Sequence, residues 1–225
     1  VLISRKFDEP FFNRAGFIVP EENPFSILAE IESVFAEHGS DSYIFIQNLR
    51  RYENLRTIIE RRNYSIVDKM SILEVSSFSA NINPKVKVDI IEENEIDEWS
   101  ETYLISFYGE TKMLSTVRKI VNKLVQNKDV SLMLAKFQGS PIGTLAIFRS
   151  EDINGVYCLG TRPSSRNLGA ASTMLRSAYE MSVKEKARFV LQTMLSDSIE
   201  EFYLKLGFIK RYTKDFFNRK LYPSL

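Results

Sequence analysis

Apolar residues recur along this chain with two periods, near 3.6 and near 2, and the switches between them mark its elements. Over 22–38, Phe25, Ile27, Leu28, Ile31, Val34 and Phe35 fall at helical spacing, and Gly39 follows as a stop. Residues 42–46, Ser-Tyr-Ile-Phe-Ile, read as a buried strand. Tyr52, Leu55, Ile58 and Ile59 mark an amphipathic helix running to about Arg62. Residues 65–75 alternate in part, through Ile66, Met70, Ile72 and Leu73, and predict another strand. A short strand is expected within 11–19, where Phe11, Phe12, Phe17, Ile18 and Val19 gather between Pro10 and Pro20.

The pattern breaks at 76–85, Ser-Ser-Phe-Ser-Ala-Asn-Ile-Asn-Pro-Lys, a small, polar stretch that predicts a linker. It resumes as a strand over 86–91 and a helix over 96–107 carrying Trp99, Tyr103, Leu104 and Phe107. A second helix over 112–126 carries Leu114, Val117, Ile120, Val121, Leu124 and Val125. Strands at 130–137 and 142–148 flank Gly139 and predict a hairpin. Asn154-Gly155 predicts a turn, 156–161 a strand, 169–186 a helix and 189–194 a strand. A short helix over 198–206 ends at Gly207, a residue suited to a left-handed C-cap, and strand-like segments fill 209–221. Two regions are expected: a small α/β domain over 1–80 and a larger one over 85–225.

Composition removes several function classes. The 225 residues carry 30 basic and 29 acidic side chains, a net charge of +1, which argues against a general nucleic-acid or membrane-surface binder. One cysteine, Cys158, and one histidine, His38, exclude an intramolecular disulfide and a Cys/His zinc site, so no metal is expected. Cys158 sits in an apolar strand and reads as a buried, inert thiol. No apolar run is long enough to span a bilayer and no secretory signal is read, so a reducing cytoplasm is expected. The chain starts at Val1, which leaves its natural N-terminus open.

The chemistry concentrates at 156–178. An apolar strand breaks at Arg162-Pro163-Ser164-Ser165 and passes through Arg166-Asn167-Leu168-Gly169-Ala170-Ala171 into a helix. Unpaired N–H groups at a helix N-terminus, together with the helix dipole, favour an anion such as a pyrophosphate. Gly169 lets backbone approach it, and Arg166 adds a charge-assisted hydrogen bond.

From Val86 onward, the element order and three short motifs resemble the GNAT N-acetyltransferase superfamily. Leu159-Gly160-Thr161-Arg162-Pro163 looks like that family's strand end before its phosphate loop. Arg166-Asn167-Leu168-Gly169-Ala170-Ala171 matches Arg/Gln-x-x-Gly-x-Gly/Ala. Phe202-Tyr203-Leu204-Lys205-Leu206-Gly207-Phe208 resembles its Tyr-x-Lys-x-Gly-Phe helix end. The resemblance implies an α/β (α+β) GNAT fold: a mixed, mostly antiparallel twisted sheet flanked by helices, preceded here by the smaller α/β domain. It also implies acetyl-coenzyme A, or another acyl-coenzyme A, as donor and an amine-bearing small molecule or peptide as acceptor. The pantetheine arm would lie along the strand at Leu159, Gly160 and Thr161. The pyrophosphate would rest on Arg166, Asn167, Leu168, Gly169, Ala170, Ala171 and Ser172, and Tyr203 would protonate the leaving thiolate.

Two positions depart from the family pattern. Ser196 stands where many members have an asparagine that contacts the cofactor. Gly155 stands where histone-modifying members have a glutamate base, so the base is unassigned, with Glu98, Glu101 and Glu110 as candidates acting through water. The chain also compares with itself. Residues 43–73 can be laid over 188–217, which suggests a degenerate GNAT-like N-terminal half with Ile59 near the Tyr203 position and acidic residues in place of the loop. A non-catalytic coenzyme A sensor is the alternative to an enzyme, and a homodimer is among the assemblies left open.

Overall fold

The computed structural model describes residues 1–4, 10, 12–16, 18–19 and 23–220. Phe11, Phe17, Pro20, Glu22 and Leu221, all used in the sequence expectations or bounding them, lie outside the described residues. The elements are α1 (Pro24–Glu37), β1 (Ser42–Gln47), α2 (Glu53–Arg61), β2 (Ser65–Val75), β3 (Val86–Ile90), α3 (Ile96–Tyr108) and α4 (Leu114–Val125). They continue with β4 (Val130–Phe137), β5 (Ser140–Ser150), β6 (Ile153–Thr161), α5 (Ala170–Lys184), β7 (Arg188–Met194), α6 (Glu200–Lys205) and β8 (Phe208–Arg219). From α1 onward this is the order that the apolar periods predict; the strand expected within 11–19 shows only isolated bridges at Arg14 and Ala15 among the described residues.

Two compact units form, and they do not follow chain order. The first holds Val1–Ile72, Thr193–Glu200 and Lys210–Leu225; the second holds Leu73–Gln192 and Glu201–Ile209. Residues 76–85, read as a linker from their composition, belong to the second unit.

In the first unit, β1 pairs antiparallel with β8 from Ser42↔Arg219 to Gln47↔Lys214. Ala15 extends this edge, donating its N–H to the Tyr43 carbonyl at 2.8 Å. Helix α1 starts cleanly because Asn23 Oδ1 accepts from Phe25 N–H and Pro24 occupies the first turn. Its apolar face, Leu28, Ile31 and Phe35, packs with Ile44, Ile46, Leu55, Ile59 and Phe217 in one core cluster.

The second unit is a mixed sheet ordered β7-β6-β5-β4-β3. The ladders β3–β4, β4–β5 and β5–β6 are antiparallel, and β6–β7 is parallel. Strand alternation sends side chains to two faces, and helices cover both. On one face Leu145, Ile147, Val156 and Leu191 pack with Met174, Leu175 and Ala178 of α5. On the other, Leu132, Leu134 and Ala146 pack with Ile96, Trp99, Leu104, Val117 and Val121 of α3 and α4. The indole N–H of the buried Trp99 donates to the Met133 carbonyl at 3.0 Å, so its polar atom is satisfied inside the core. This is the flanked, mostly antiparallel sheet that the family resemblance implies.

One local expectation is overturned. Asn154-Gly155 is no turn: both residues lie within β6, opposite Arg149 and Phe148 of β5 and beside Phe189 and Val190 of β7. The turn falls three residues earlier, at Glu151-Asp152, where Glu151 takes a positive φ of 48°. Tertiary bonding outweighs the dipeptide's turn preference, because buried Asn154 Nδ2 donates to Ser182 Oγ at 3.0 Å and Glu185 Oε2 at 2.7 Å.

Candidate active site

Strand β6 is irregular where the chemistry was expected. Thr144 faces Gly160, but the next pair is Ala146 with Tyr157, so Leu145 alone opposes both Cys158 and Leu159. This is a β-bulge, with Cys158 at a φ of 52° and its carbonyl accepting from Thr144 Oγ1 at 3.0 Å. On the other side of β6, pairing with β7 runs only from Ile153↔Arg188 to Val156↔Leu191. From Tyr157 to Thr161, β6 therefore presents backbone groups that β7 does not take. An extended ligand can pair there as an added strand does.

Gly160 governs how the helical layer meets this edge. A Cβ at position 160 would lie 2.6 Å from Phe107 Cε2 and 2.9 Å from Ser106 Cβ, so α3 approaches only because the side chain is missing. Beyond Thr161 the chain makes a short 3-10 turn at Pro163–Ser165. Asn167 and Gly169 are both left-handed, at φ of 67° and 79°, and bracket Leu168. Helix α5 begins after Gly169 with no side-chain cap and no acidic residue in its first turn. Helix geometry leaves the N–H groups of Ala170, Ala171 and Ser172 without intrahelical partners, while Thr173 N–H already reaches the Gly169 carbonyl at 3.0 Å. Arg166 is exposed beside them and makes no ion pair among the described residues. The loop thus combines open N–H donors, the positive end of a 15-residue helix and a free guanidinium, a combination that binds anions. Arg162 is differently employed, donating to Thr102 Oγ1 at 2.9 Å and pairing with Glu101 on α3.

Tyr203 lies on α6 and is 6% exposed. Its ring meets Phe202 at 5.3 Å and Phe208 at 6.0 Å, edge to face. It belongs to the same apolar cluster as Ala170, and Leu159 packs against that cluster. The bulge, the helix start and the tyrosine therefore border one body of side chains. Ser196 belongs to the first compact unit, where its hydroxyl donates to the Asp68 carboxylate. The carboxylates offered as bases are all engaged, Glu98 with Lys136 at 2.8 Å, Glu101 with Arg162 at 3.4 Å and Glu110 with Lys112 at 2.6 Å. At Gly155, the absent side chain's place is taken by the Tyr157 ring, whose Cε2 is 3.0 Å from where a Cβ would be. Burial pushes the Cys158 thiol up to about 12, which leaves it a poor nucleophile at neutral pH. No group of three or more metal-ligating side chains occurs among the described residues. Likewise, none of their helices is long and apolar enough to cross a membrane.

Two residues beside the loop escaped sequence reasoning. Asn83 Nδ2 donates to the Leu168 carbonyl at 2.9 Å, and Thr173 Oγ1 donates to the Gly169 carbonyl at 2.8 Å. The only sequence signal for Asn83 was the turn-forming pair Asn83-Pro84.

The family model described as the acetyltransferase (GNAT) family matches residues 89–208. No curated protein matches the sequence. Among solved structures, a GCN5-related N-acetyltransferase from Kribbella flavida superposes with a TM-score of 0.64 at 17% identity, covering 91% of this chain and 77% of that one. A GCN5-related N-acetyltransferase from Sphaerobacter thermophilus gives 0.68 at 11% identity, covering 83% and 61%. A functionally unknown conserved protein from Staphylococcus epidermidis ATCC 12228 gives 0.63 at 15% identity, covering 88% and 81%. At such identities the likeness is one of fold.

Proposed function

The chain belongs to the acetyltransferase (GNAT) family, and from that premise we propose that it transfers acetyl from acetyl-coenzyme A to a primary amine within a ternary complex. The observation that carries the reading is the junction of two features: a strand edge left open from Tyr157 to Thr161 and an uncapped helix start at Gly169. The first suits the amide groups of a pantetheine arm and the second its pyrophosphate. Leu159, Gly160 and Thr161 would take the arm, and residues 166–172 the phosphates, with Arg166 adding charge.

In this reading the amine nitrogen attacks the thioester carbonyl carbon. The C–N bond forms, the C–S bond breaks, and the sulfur leaves as thiolate. Holding both reactants on one scaffold supplies most of what such a step needs. Negative charge gathers on the carbonyl oxygen, and a bulge N–H at Leu159 is the donor we assign to it. Tyr203 gives its phenolic proton to the thiolate, and the amine's proton passes to water. With every candidate carboxylate in an ion pair, the acceptor is best supplied as the free amine. Residues 1–80 are read as the non-catalytic part: Ile59, set against Tyr203 by the internal comparison, is fully buried in the first unit's core and has no hydroxyl.

The test is direct. Acetyl-coenzyme A should raise the melting temperature by binding the native state, and a panel of amines should release free thiol from it. Absence of any thermal response would sink the donor assignment. Gly155 at the strand position favours the second reading, a coenzyme A sensor without chemistry. That reading predicts a thermal response but no acceptor-dependent thiol release.

A further inference from the structure

Residues 76–85 form a brace across the second unit. At one end Ser76 N–H donates to the Gly207 carbonyl and Ser79 N–H to the Leu206 carbonyl, both at 3.0 Å. In the middle Phe78 stacks on Tyr179 of α5 at 5.4 Å and meets Phe208 edge-on at 6.3 Å. At the other end stands Asn83, held on all sides. Its Oδ1 accepts from Lys85 N–H at 3.0 Å, its carbonyl accepts from Val86 N–H at 3.0 Å, and its N–H donates to Thr173 Oγ1 at 3.3 Å. The remaining group, Nδ2, donates to the Leu168 carbonyl at 2.9 Å.

That last bond has a consequence for the loop. In a trans peptide the C=O and the following N–H point in opposite directions. Fixing the Leu168 carbonyl toward Asn83 therefore turns the Gly169 N–H away from it. Thr173 Oγ1 does the same for the next peptide by holding the Gly169 carbonyl at 2.8 Å, which directs the Ala170 N–H outward. Without Asn83, the 168–169 peptide is bounded by the left-handed Gly169, a residue with no Cβ to restrict its backbone, and its plane can rotate. The brace also lies before residue 89, where the family match begins.

We propose that Asn83 is a positioning residue for the pyrophosphate loop, setting the Gly169 N–H in the orientation that an anion requires before it arrives. This rests on reading residues 166–172 as the pyrophosphate site. Asn83 does not touch the ligand; it acts through Leu168 and Gly169, so its effect is on affinity for the phosphate portion of the donor.

The experiment is calorimetric titration of the full chain with coenzyme A and, separately, with pantetheine, which lacks the pyrophosphate. Wild type, Asn83→Ala, Asn83→Asp and Arg166→Glu are compared. Asn83→Asp keeps the acceptor that holds Lys85 but turns a carboxylate oxygen toward the Leu168 carbonyl, so it removes the donor if the alanine variant folds poorly, and repeating its titration at high salt screens out the repulsion its added charge exerts on the pyrophosphate. Both Asn83 variants should bind coenzyme A about tenfold more weakly, the scale of one hydrogen bond, and pantetheine as wild type does. Equal weakening toward both ligands would mean general loosening and overturn the proposal. Loss of coenzyme A binding in Arg166→Glu with none in the Asn83 variants would overturn it too, while leaving the site intact. If wild type itself binds no coenzyme A, the functional reading fails and this inference with it.

Discussion

A Cβ on Gly160 would sit 2.6 Å from Cε2 of Phe107, so the ring of a half-exposed helix residue fills the space where a strand side chain would begin. The ring has room to swing, but Ser106 Cβ at 2.9 Å belongs to the helix itself and moves only with it. Gly160→Ala should therefore push α3 away from β6, with a loss of about 1–3 kcal/mol typical of overpacking. Chemical denaturation measures the loss, and donor titration should reveal a weakened site in the same variant.

Arg166 is exposed and makes no ion pair among the described residues, so replacing it disturbs little else. Arg166→Glu should leave the ligand-free melting temperature within about a degree of wild type and abolish the rise that acetyl-coenzyme A produces. A rise equal to that of wild type would remove Arg166 from the site.

For Tyr203 the phenyl ring and the hydroxyl make separate contributions. Tyr203→Phe keeps the ring against Phe202 and Phe208 and removes only the oxygen. Turnover should fall by about a hundredfold, the scale of a positioned general acid, with coenzyme A affinity nearly unchanged. Unchanged turnover would return Tyr203 to a purely structural role.

Cys158 links burial to pH. Its thiol is raised by burial from 9.0 to about 12, so the folded chain holds this proton over a range where the unfolded chain has lost it. The stability it contributes is complete below about pH 9 and declines as pH rises toward about 12. A disulfide-exchange reagent at pH 8 should leave the native thiol unmodified and react fully in denaturant. Rapid native labelling would contradict the raised thiol.

Gly207 combines a φ of 93° with Ser77 O only 1.9 Å from where a Cβ would be. The brace crosses too closely for any side chain. Gly207→Ala should cost about 3 kcal/mol or more, from strain and clash together, read as a lower denaturation midpoint.

Much of this was legible in the residues themselves. The strand at 65–75 and the helices over 96–107 and 112–126 follow from apolar spacing, and the structure places them within one or two residues. The C-cap at Gly207 and the helix start after Gly169 were legible for a similar reason, since backbone conformations closed to most side chains leave a glycine as their mark. The motif Arg166 to Ala171 could be recognised because an anion nest is built from consecutive residues.

What spacing could not supply is what depends on a partner distant in the chain. Asn154-Gly155 has a turn's composition and a strand's place, because Ser182 and Glu185 of α5 and its flank bind the asparagine. The bulge at Cys158 and Leu159 exists only against Leu145, and the open edge of β6 only because pairing with β7 stops at Val156. Asn83 reads as loop until Leu168 is set beside it. Local patterns record what a residue does to its own backbone within a few positions. Register, close approach and the direction of a peptide N–H come from groups brought together by packing, and that is where the tertiary structure alone decided the form of the site.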